Sequence, residues 1–392
     1  MLKKIRIGDL GEIYTGNTPS KKNSEFYETE DIMFVKPDIL GFDIKLINSA
    51  NEYISEKARK KARVIPKESL LVSCIGNIGK LGINNEDVAF NQQINAIVHN
   101  NKIYSSKYLA YLLKYNQRKL EAIANAPVVP IINKSQFSDF EVMIHEDLKV
   151  QGKLVALLDK AQELIDKRKE QIEALDKLVK SKFIEMFGDG KYPLVKAEEV
   201  CEYITKGTTP KSSDIIEEYE DGLIPYLKVY NLSFDGSMLF DYKPQYVSIE
   251  THNKFLARSK VYPNDVLMNI VGPPLGKFTL VPNKFREWNI NQAMAIFRAT
   301  DKISPIFLLH SLKQPKVLQP FIDSAVGVRQ QNLSLLQCRN LEIPLPPIDL
   351  QNQFADFVKQ VDKLKIEMKN SLKELEDNFN SLMQRAFKGE LF

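Results

Sequence analysis

The chain is written twice. "AFNQQINAIV" at 89–98 matches "NINQAMAIFR" at 289–298, which sets Asn91 and Gln92 against Asn291 and Gln292, 200 positions further on. "IMFVKPDIL" (32–40) matches "IPYLKVYNL" (224–232), each with one lysine, Lys36 or Lys228, after an apolar run. "ESLLVSCIGNIGKLGINN" (68–85) matches "NDVLMNIVGPPLGKFTLV" (264–281), aligning Gly79-Lys80 with Gly276-Lys277. Both copies carry a Gly-x-Thr-Pro turn near their start, "GNTPS" at 16–20 and "GTTPK" at 207–211. Order and spacing persist through all four matches, so the fold must accommodate a duplicated domain. A chain of 392 residues suits this, because single cores seldom grow beyond about 250–300 residues.

Within each copy, short apolar runs bounded by Gly or Pro (70–75 and 266–271) read as buried strands. The stretch 105–124 has helical periodicity, with Ser105 or Ser106 available as its N-cap. Each copy is therefore mixed α/β (α+β).

The segments that follow the copies have a different period. Leu154, Leu158, Ala161, Ile165, Arg168, Ile172, Leu175 and Val179 keep 4-3-4-3 spacing, the pattern of a long helix with a coiled-coil seam. Adding 200 gives the same register in Phe354, Val358, Val361, Lys365, Met368, Leu372, Leu375 and Phe379. Each seam carries one basic residue, Arg168 or Lys365, which restricts pairing choices. Either each helix packs on its own domain, or the two pair antiparallel because a globular domain connects them. A helix of some 35 residues rises roughly 50 Å and would act as a ruler between two globular units.

These residues resemble the specificity (S) subunit of type I restriction-modification systems. "NLEIPLPPIDLQNQF" (340–354) resembles that family's proline-rich lead-in to a long helix, with Leu350-Gln351 where Glu-Gln is usual. "LMQRAFKGELF" (382–392) resembles its common ending, whereas the first linker, 139–154, lacks the prolines. The resemblance covers essentially the whole chain. It implies two similar target-recognition domains (1–148 and 188–349), separated by two long antiparallel coiled-coil helices (149–187 and 350–392) in a pseudo-two-fold repeat. It also implies that each domain reads half of a bipartite, asymmetric double-stranded DNA site. Two modification subunits carrying S-adenosylmethionine would dock around the helices, and two restriction subunits can join them. The chain itself would bind no cofactor or metal and perform no chemistry.

The sequence carries none of the motifs such chemistry needs. No Gly-x-x-x-x-Gly-Lys-Ser/Thr loop occurs to cradle nucleotide phosphates. "VGPPLG" (271–276) looks like an adenine-methyltransferase Asn/Asp-Pro-Pro-Tyr/Phe motif, but Gly272 and Leu275 replace its polar and aromatic ends; it reads as a turn after a buried strand. His99, His145, His252 and His310 lack metal-ligand spacing, and Cys74, Cys201 and Cys338 are too scattered for a zinc site or a disulfide framework. Without a signal peptide or a long apolar run, a cytoplasmic protein with reduced cysteines is expected.

A net charge of only +4 means that any DNA-binding surface must be local. After the turns, Thr18, Ser20, Lys21 and Lys22, and Thr208, Lys211 and Ser212, supply cations and small donors for phosphates. Asn77, Lys80 and Lys277 sit in Gly-containing turns that let backbone approach a ligand. Gln92 and Gln292 suit either an adenine edge or structural bonds to backbone, and because both copies share them the structural role is favoured. Arg329, Gln330 and Gln331 could read G or A edges. The aligned stretch 127–134 offers only Asn133 and Lys134, so this site differs between halves, as specificity residues should. Lys36 and Lys228 complete the candidates. The densest basic run, "SEKARKKAR" (55–63), would spread its charge over all faces if helical, so a solvated helix and a phosphate-contacting one are equally expected. The alternative to a DNA-binding subunit is a two-headed coiled-coil adaptor that does not touch DNA.

Overall fold

The computed structural model describes residues 1–124, 129–272, 274–324 and 332–392. They form two units, one of residues 1–169 with 370–392 and the other of 170–369.

In unit 1, β1 (Gly11–Thr15), β2 (Leu70–Ser73), β3 (Leu81–Asn84) and β4 (Ile94–His99) build a sheet in the order β1-β4-β2-β3, extended by Lys45–Ile47. These four strands pair antiparallel, and Lys45–Ile47 joins β3 in parallel. A second sheet runs Tyr53–Ile54, Ile32–Val35, Val88–Phe90, Val64–Ile65. A two-stranded ribbon joins Leu2–Arg6 to Glu141–His145. Helix α1 (Ser106–Tyr115) starts at the Ser105 cap, whose side chain accepts the Tyr108 N–H. The helical stretch breaks at Asn116 before a further short helix, Gln117–Ala122.

Unit 2 repeats the plan. Its main sheet, β5 (Cys201–Lys206), β6 (Val266–Asn269), β7 (Phe278–Leu280) and β8 (Met294–Ala299), runs β5-β8-β6-β7. Its second sheet runs Tyr246–Val247, Ile224–Leu227, Trp288–Ile290, Lys260–Val261, and Leu194–Lys196 pairs with Glu342–Pro344. Helix α3 (Pro305–Leu312) takes the place of α1.

Two 40-residue helices, α2 (Leu148–Phe187) and α4 (Ile348–Phe387), contribute to both units. In unit 1 the start of α2 (Leu154, Leu158, Ile165) shares a core with the end of α4 (Phe379, Met383, Phe387), so the pairing is antiparallel. Ala161, Leu372 and Leu375 pack at its edge, and Lys169 meets Glu376 at 3.5 Å. In unit 2, Leu175, Val179, Phe183 and Phe187 meet Phe354, Val358 and Val361, with Met368 alongside and Ile172 half-buried. The seam is thus also part of each domain's core. Each fully buried Phe there contributes about 1.5–3 kcal/mol. A glutamine in each lead-in, repeated 200 positions apart, is buried and does one job twice. Gln151 accepts the Tyr104 N–H (2.8 Å) and donates to Lys102 and His145 carbonyls, while Gln351 accepts the Ser304 N–H (2.9 Å) and donates to those of Lys302 and Pro346.

The three cysteines are buried and unpaired, and burial pushes each thiol up to about 12. Among the described residues, no helix is long and apolar enough to cross a membrane.

Candidate nucleic-acid interface

At one end of each main sheet, the turns singled out in the sequence come together. In unit 1 the backbone N–H of Gly16 donates to the Ile94 carbonyl at 3.2 Å and that of Asn17 to the Phe90 carbonyl at 3.0 Å. A Cβ on Gly16 would lie 2.3 Å from the Asn91 carbonyl oxygen, so only glycine fits. Unit 2 repeats this with Gly207 on Met294 (3.0 Å) and Thr208 on Ile290 (3.1 Å), where a Gly207 Cβ would lie 2.1 Å from the Asn291 oxygen. The first glycine of Gly-x-Thr-Pro is therefore set by the close crossing of two chain segments, and the turn leaves its tip in solvent.

On that tip, Thr18 donates to the Gln92 side-chain oxygen at 2.9 Å, and both are exposed. The unit 2 counterpart of Thr18 is Thr209, not Thr208, and it accepts the Gln292 N–H at 3.3 Å. Thr208 instead accepts from Arg258 Nε at 3.0 Å. Ser20 turns back to accept the Lys22 N–H, and Lys21, Lys22, Lys211 and Ser212 are exposed, without ion-pair partners for the lysines among the described residues.

The basic run 55–63 joins this surface, but not as a helix. It has one short 3-10 turn (Glu56–Ala58) followed by turns. Its backbone is held by the turn itself, since Asn17 donates to the Lys61 carbonyl and accepts the Arg63 N–H, both at 2.7 Å. Lys57 and Arg59 are engaged with Glu25, Glu28, Glu56 and Asp87, which leaves Lys60, Lys61 and Arg63 exposed.

Beside it lie the Gly-containing turns. Ser73 accepts the Lys80 N–H at 2.9 Å, and Asn269 accepts the Lys277 N–H at 2.8 Å, so two different residues fix the two lysines alike. Gly76 and Gly79 have positive φ of 77° and 80°, as does Gly276 at 93°, where L side chains are strained. Asn77 is exposed at the tip and its carbonyl accepts from Ser73. After β6, Asn269 donates to the Val271 and Pro274 carbonyls. One described residue of each segment expected to differ between halves meets this place. Ile75 bridges Ile131 in unit 1, and Val271 bridges Asn332 in unit 2. Lys134 is exposed at the start of a helix capped by Asn133. Arg329, Gln330 and Gln331 lie outside the described residues.

One sequence candidate is used otherwise. Lys36 is ion-paired with Glu52, which neutralises it locally. Gln92 is exposed and accepts from Thr18, whereas Asn91 is buried and bonds Gln93. Lys228 is half-buried and uses its backbone N–H to bond Asn231.

On the seam of unit 2, Lys365 is only 9% exposed and bridges Asp176 (2.6 Å) and Asp235 (3.1 Å), lining a cavity of about 820 Å³ with His310 and Lys313. Although burial opposes it, bonds from Ser233, Ser237 and Lys365 hold the Asp235 carboxyl well below the usual range. Burial lowers His310 far below an ordinary histidine.

Known proteins carry the same organisation. A family model described as the type I restriction modification DNA specificity domain matches residues 2–174 and again 191–377. The chain is 24% identical over 414 aligned residues to the type I restriction enzyme MjaIX specificity subunit of Methanocaldococcus jannaschii, covering 100% of this chain and 93% of that protein. It is 31% identical over 141 residues to the HindI specificity subunit of Haemophilus influenzae, covering 35% and 30% respectively. A chain from a solved type I R-M system superposes with a TM-score of 0.62 at 18% identity, covering 100% of this chain and 98% of that one. The S subunit from M. genitalium gives 0.55 at 15%, covering 99% and 96%. Both structures share this fold.

Proposed function

The chain belongs to the type I restriction-modification DNA specificity family, and we propose that each unit reads one half of a bipartite, asymmetric duplex DNA site. One observation carries this reading: the turn surface is built twice from the same backbone bonds, while the segments 127–134 and 326–332, whose described residues Ile131 and Asn332 bridge to it, differ in sequence. Lys21, Lys22 and Lys211, just past the two turns, meet phosphate, and base choice falls to the differing segments, one with Arg329, Gln330 and Gln331 in its sequence and the other with Asn133 and Lys134.

Methyl transfer is then done by modification subunits that bring S-adenosylmethionine, and this chain contributes position alone, in the cytoplasm where host DNA lies. Leu164 and Leu364, 200 positions apart on α2 and α4, are 55% and 41% exposed and suit two equivalent modification subunits, with restriction subunits joining that assembly.

The test is methylome sequencing of the source strain with and without the gene, followed by exchange of residues 127–134 for those of a relative. A bipartite methylated motif that vanishes with the gene, and of which only one half changes on exchange, is the expected result. A change in both halves, or no gene-dependent motif, overturns it. A chain acting only as a protein adaptor would bind duplex DNA weakly and with no salt dependence, whereas Z phosphate contacts give a slope of about −0.9Z in log K against log salt.

A further inference from the structure

Neither half of the surface described so far uses an aromatic side chain, yet each unit exposes one beside its Gly-containing turn. Phe42 is 47% exposed and Phe234 is 54% exposed. They occupy one place in the repeat, "GFD" at 41–43 and "SFD" at 233–235, an offset of 192 that also relates Lys36 to Lys228. In unit 1 the Lys80 ammonium sits 5.7 Å from the Phe42 ring centroid, and in unit 2 Lys277 sits 5.7 Å from that of Phe234. Both lie inside the reach of a cation over a ring face.

The two pairs are positioned by the same devices. The residue before each Phe bridges the residue after each Lys, Gly41 with Leu81 and Ser233 with Phe278. Each lysine N–H is tied to the side chain that ends the preceding strand, Ser73 or Asn269. The acid after each Phe is occupied, Asp43 by Lys114 at 2.6 Å and Asp235 by Lys365 at 3.1 Å. Neither Lys80 nor Lys277 has an ion-pair partner among the described residues. An exposed ring beside a cation that has no ion-pair partner among the described residues, held in both units by the same bridge and the same lysine N–H bond, is poorly explained by packing.

We infer that Phe42 with Lys80, and Phe234 with Lys277, form a duplicated contact to the DNA backbone in which the lysine meets a phosphate and the ring packs on the adjoining deoxyribose or an unstacked base. This rests on the reading of the chain as a DNA specificity subunit. It adds a sequence-independent grip that both halves share, because two domains reading different bases have no reason to keep a base-specific group in common. The chemistry suits it: aromatic faces accept nucleic-acid stacking without preference for a base, and a lysine gains from counterion release.

The experiment uses the full chain and a mixed-sequence duplex, with affinity followed by fluorescence anisotropy over a salt series. The double variant Lys80→Gln/Lys277→Gln should lower the salt slope by about 1.8, two contacts at ~0.9 each, with roughly an eightfold loss of affinity per lysine at 0.1 M salt. Phe42→Ala/Phe234→Ala should weaken binding about fivefold and leave the slope unchanged. Lys80→Arg/Lys277→Arg should restore the slope, and it carries the test should the Gln variant melt early. An unchanged slope in a folded Gln variant overturns the inference. So does loss of modification-subunit binding with DNA binding intact, which would make the pairs a protein-docking surface. If the unaltered chain itself shows no salt-dependent DNA binding, it is the reading as a DNA specificity subunit that fails.

Discussion

Units 1 and 2 share the strand order of their sheets, apart from the added Lys45–Ile47 of unit 1, and the backbone bonds that hold the Gly-x-Thr-Pro turn, but they differ where α1 or α3 meets the long helices. Counted from the caps Ser105 and Ser304, Tyr111 and Lys114 of unit 1 correspond to His310 and Lys313 of unit 2. Unit 1 fills this place with apolar bulk. Ile165 is buried on the seam, Phe379 lies under the Lys114 ammonium, and Tyr111 donates to Asp159. Its charges are matched at the edge, Lys114 with Asp43 and Lys169 with Glu376. Unit 2 has Lys365 and Val179 at the positions of Ile165 and Phe379, and it gathers Asp176, Asp235 and Lys313 around an open cavity. The difference teaches that the two copies keep what holds the turn surface and diverge in what lies behind it. A buried ion cluster is a weak source of stability, but it makes one half unable to substitute for the other.

The sharpest test of the shared part is steric. Gly207→Ala drives a Cβ into the Asn291 carbonyl and should cost about 3 kcal/mol or more, with Gly16→Ala costing the same in unit 1. Hydrogen exchange resolved by sheet would report each unit separately, and a large inequality would break the equivalence of the turns. Next in size is Lys365→Ile, which installs the unit 1 residue and leaves Asp176 and Asp235 without their shared cation. Because both carboxylates are partly exposed, denaturation should register about 1–2 kcal/mol, confined to unit 2.

Acid should also separate the halves. A histidine whose folded pKa is depressed binds fewer protons folded than unfolded, so its contribution is present above about pH 6.5 and lost as pH falls toward the folded value. His310, against the Phe354 ring and near Lys313, Asp362 and Lys365, should cost unit 2 about 1–2 kcal/mol between pH 6.5 and 5. His145 in unit 1 is lowered by burial and by the amino terminus, so that unit responds in the same sense. Melting of His310→Tyr, which copies Tyr111, should show a reduced acid loss; unaltered pH dependence would remove His310 as its source. The smallest effect is expected from Asn17→Ala, about 1 kcal/mol, seen as faster exchange of Lys61 and Arg63 amides.

The duplication, the strand runs, the Ser105 cap and both seams were legible in the sequence because each rests on local spacing or on a glycine that geometry demands. Gly16 and Gly207 show this best, since their reason lies in one carbonyl oxygen each. What escaped the sequence depends on partners distant in the chain. Glu52 takes Lys36, Thr209 rather than Thr208 reaches Gln292, and residues 55–63 follow Asn17 instead of forming a helix. Phe42 and Phe234 raised no expectation in the sequence; each is exposed and follows a residue, Gly41 or Ser233, that bridges Leu81 or Phe278. The aligned "GFD" and "SFD" were the one available signal. Gln93 and Ala293 differ just as quietly: Gln93 bonds Asn91, whereas the Asn291 side-chain oxygen is buried with no partner among the described residues.

Because residues 370–392 complete the core of unit 1, the order of synthesis and the order of closure are opposed. On the ribosome the first unit emerges early, yet it must wait with Leu154, Leu158 and Tyr108 uncovered until Phe379 and Phe387 arrive, after all of unit 2 has been made. A frameshift late in the gene would therefore injure the half that was translated first.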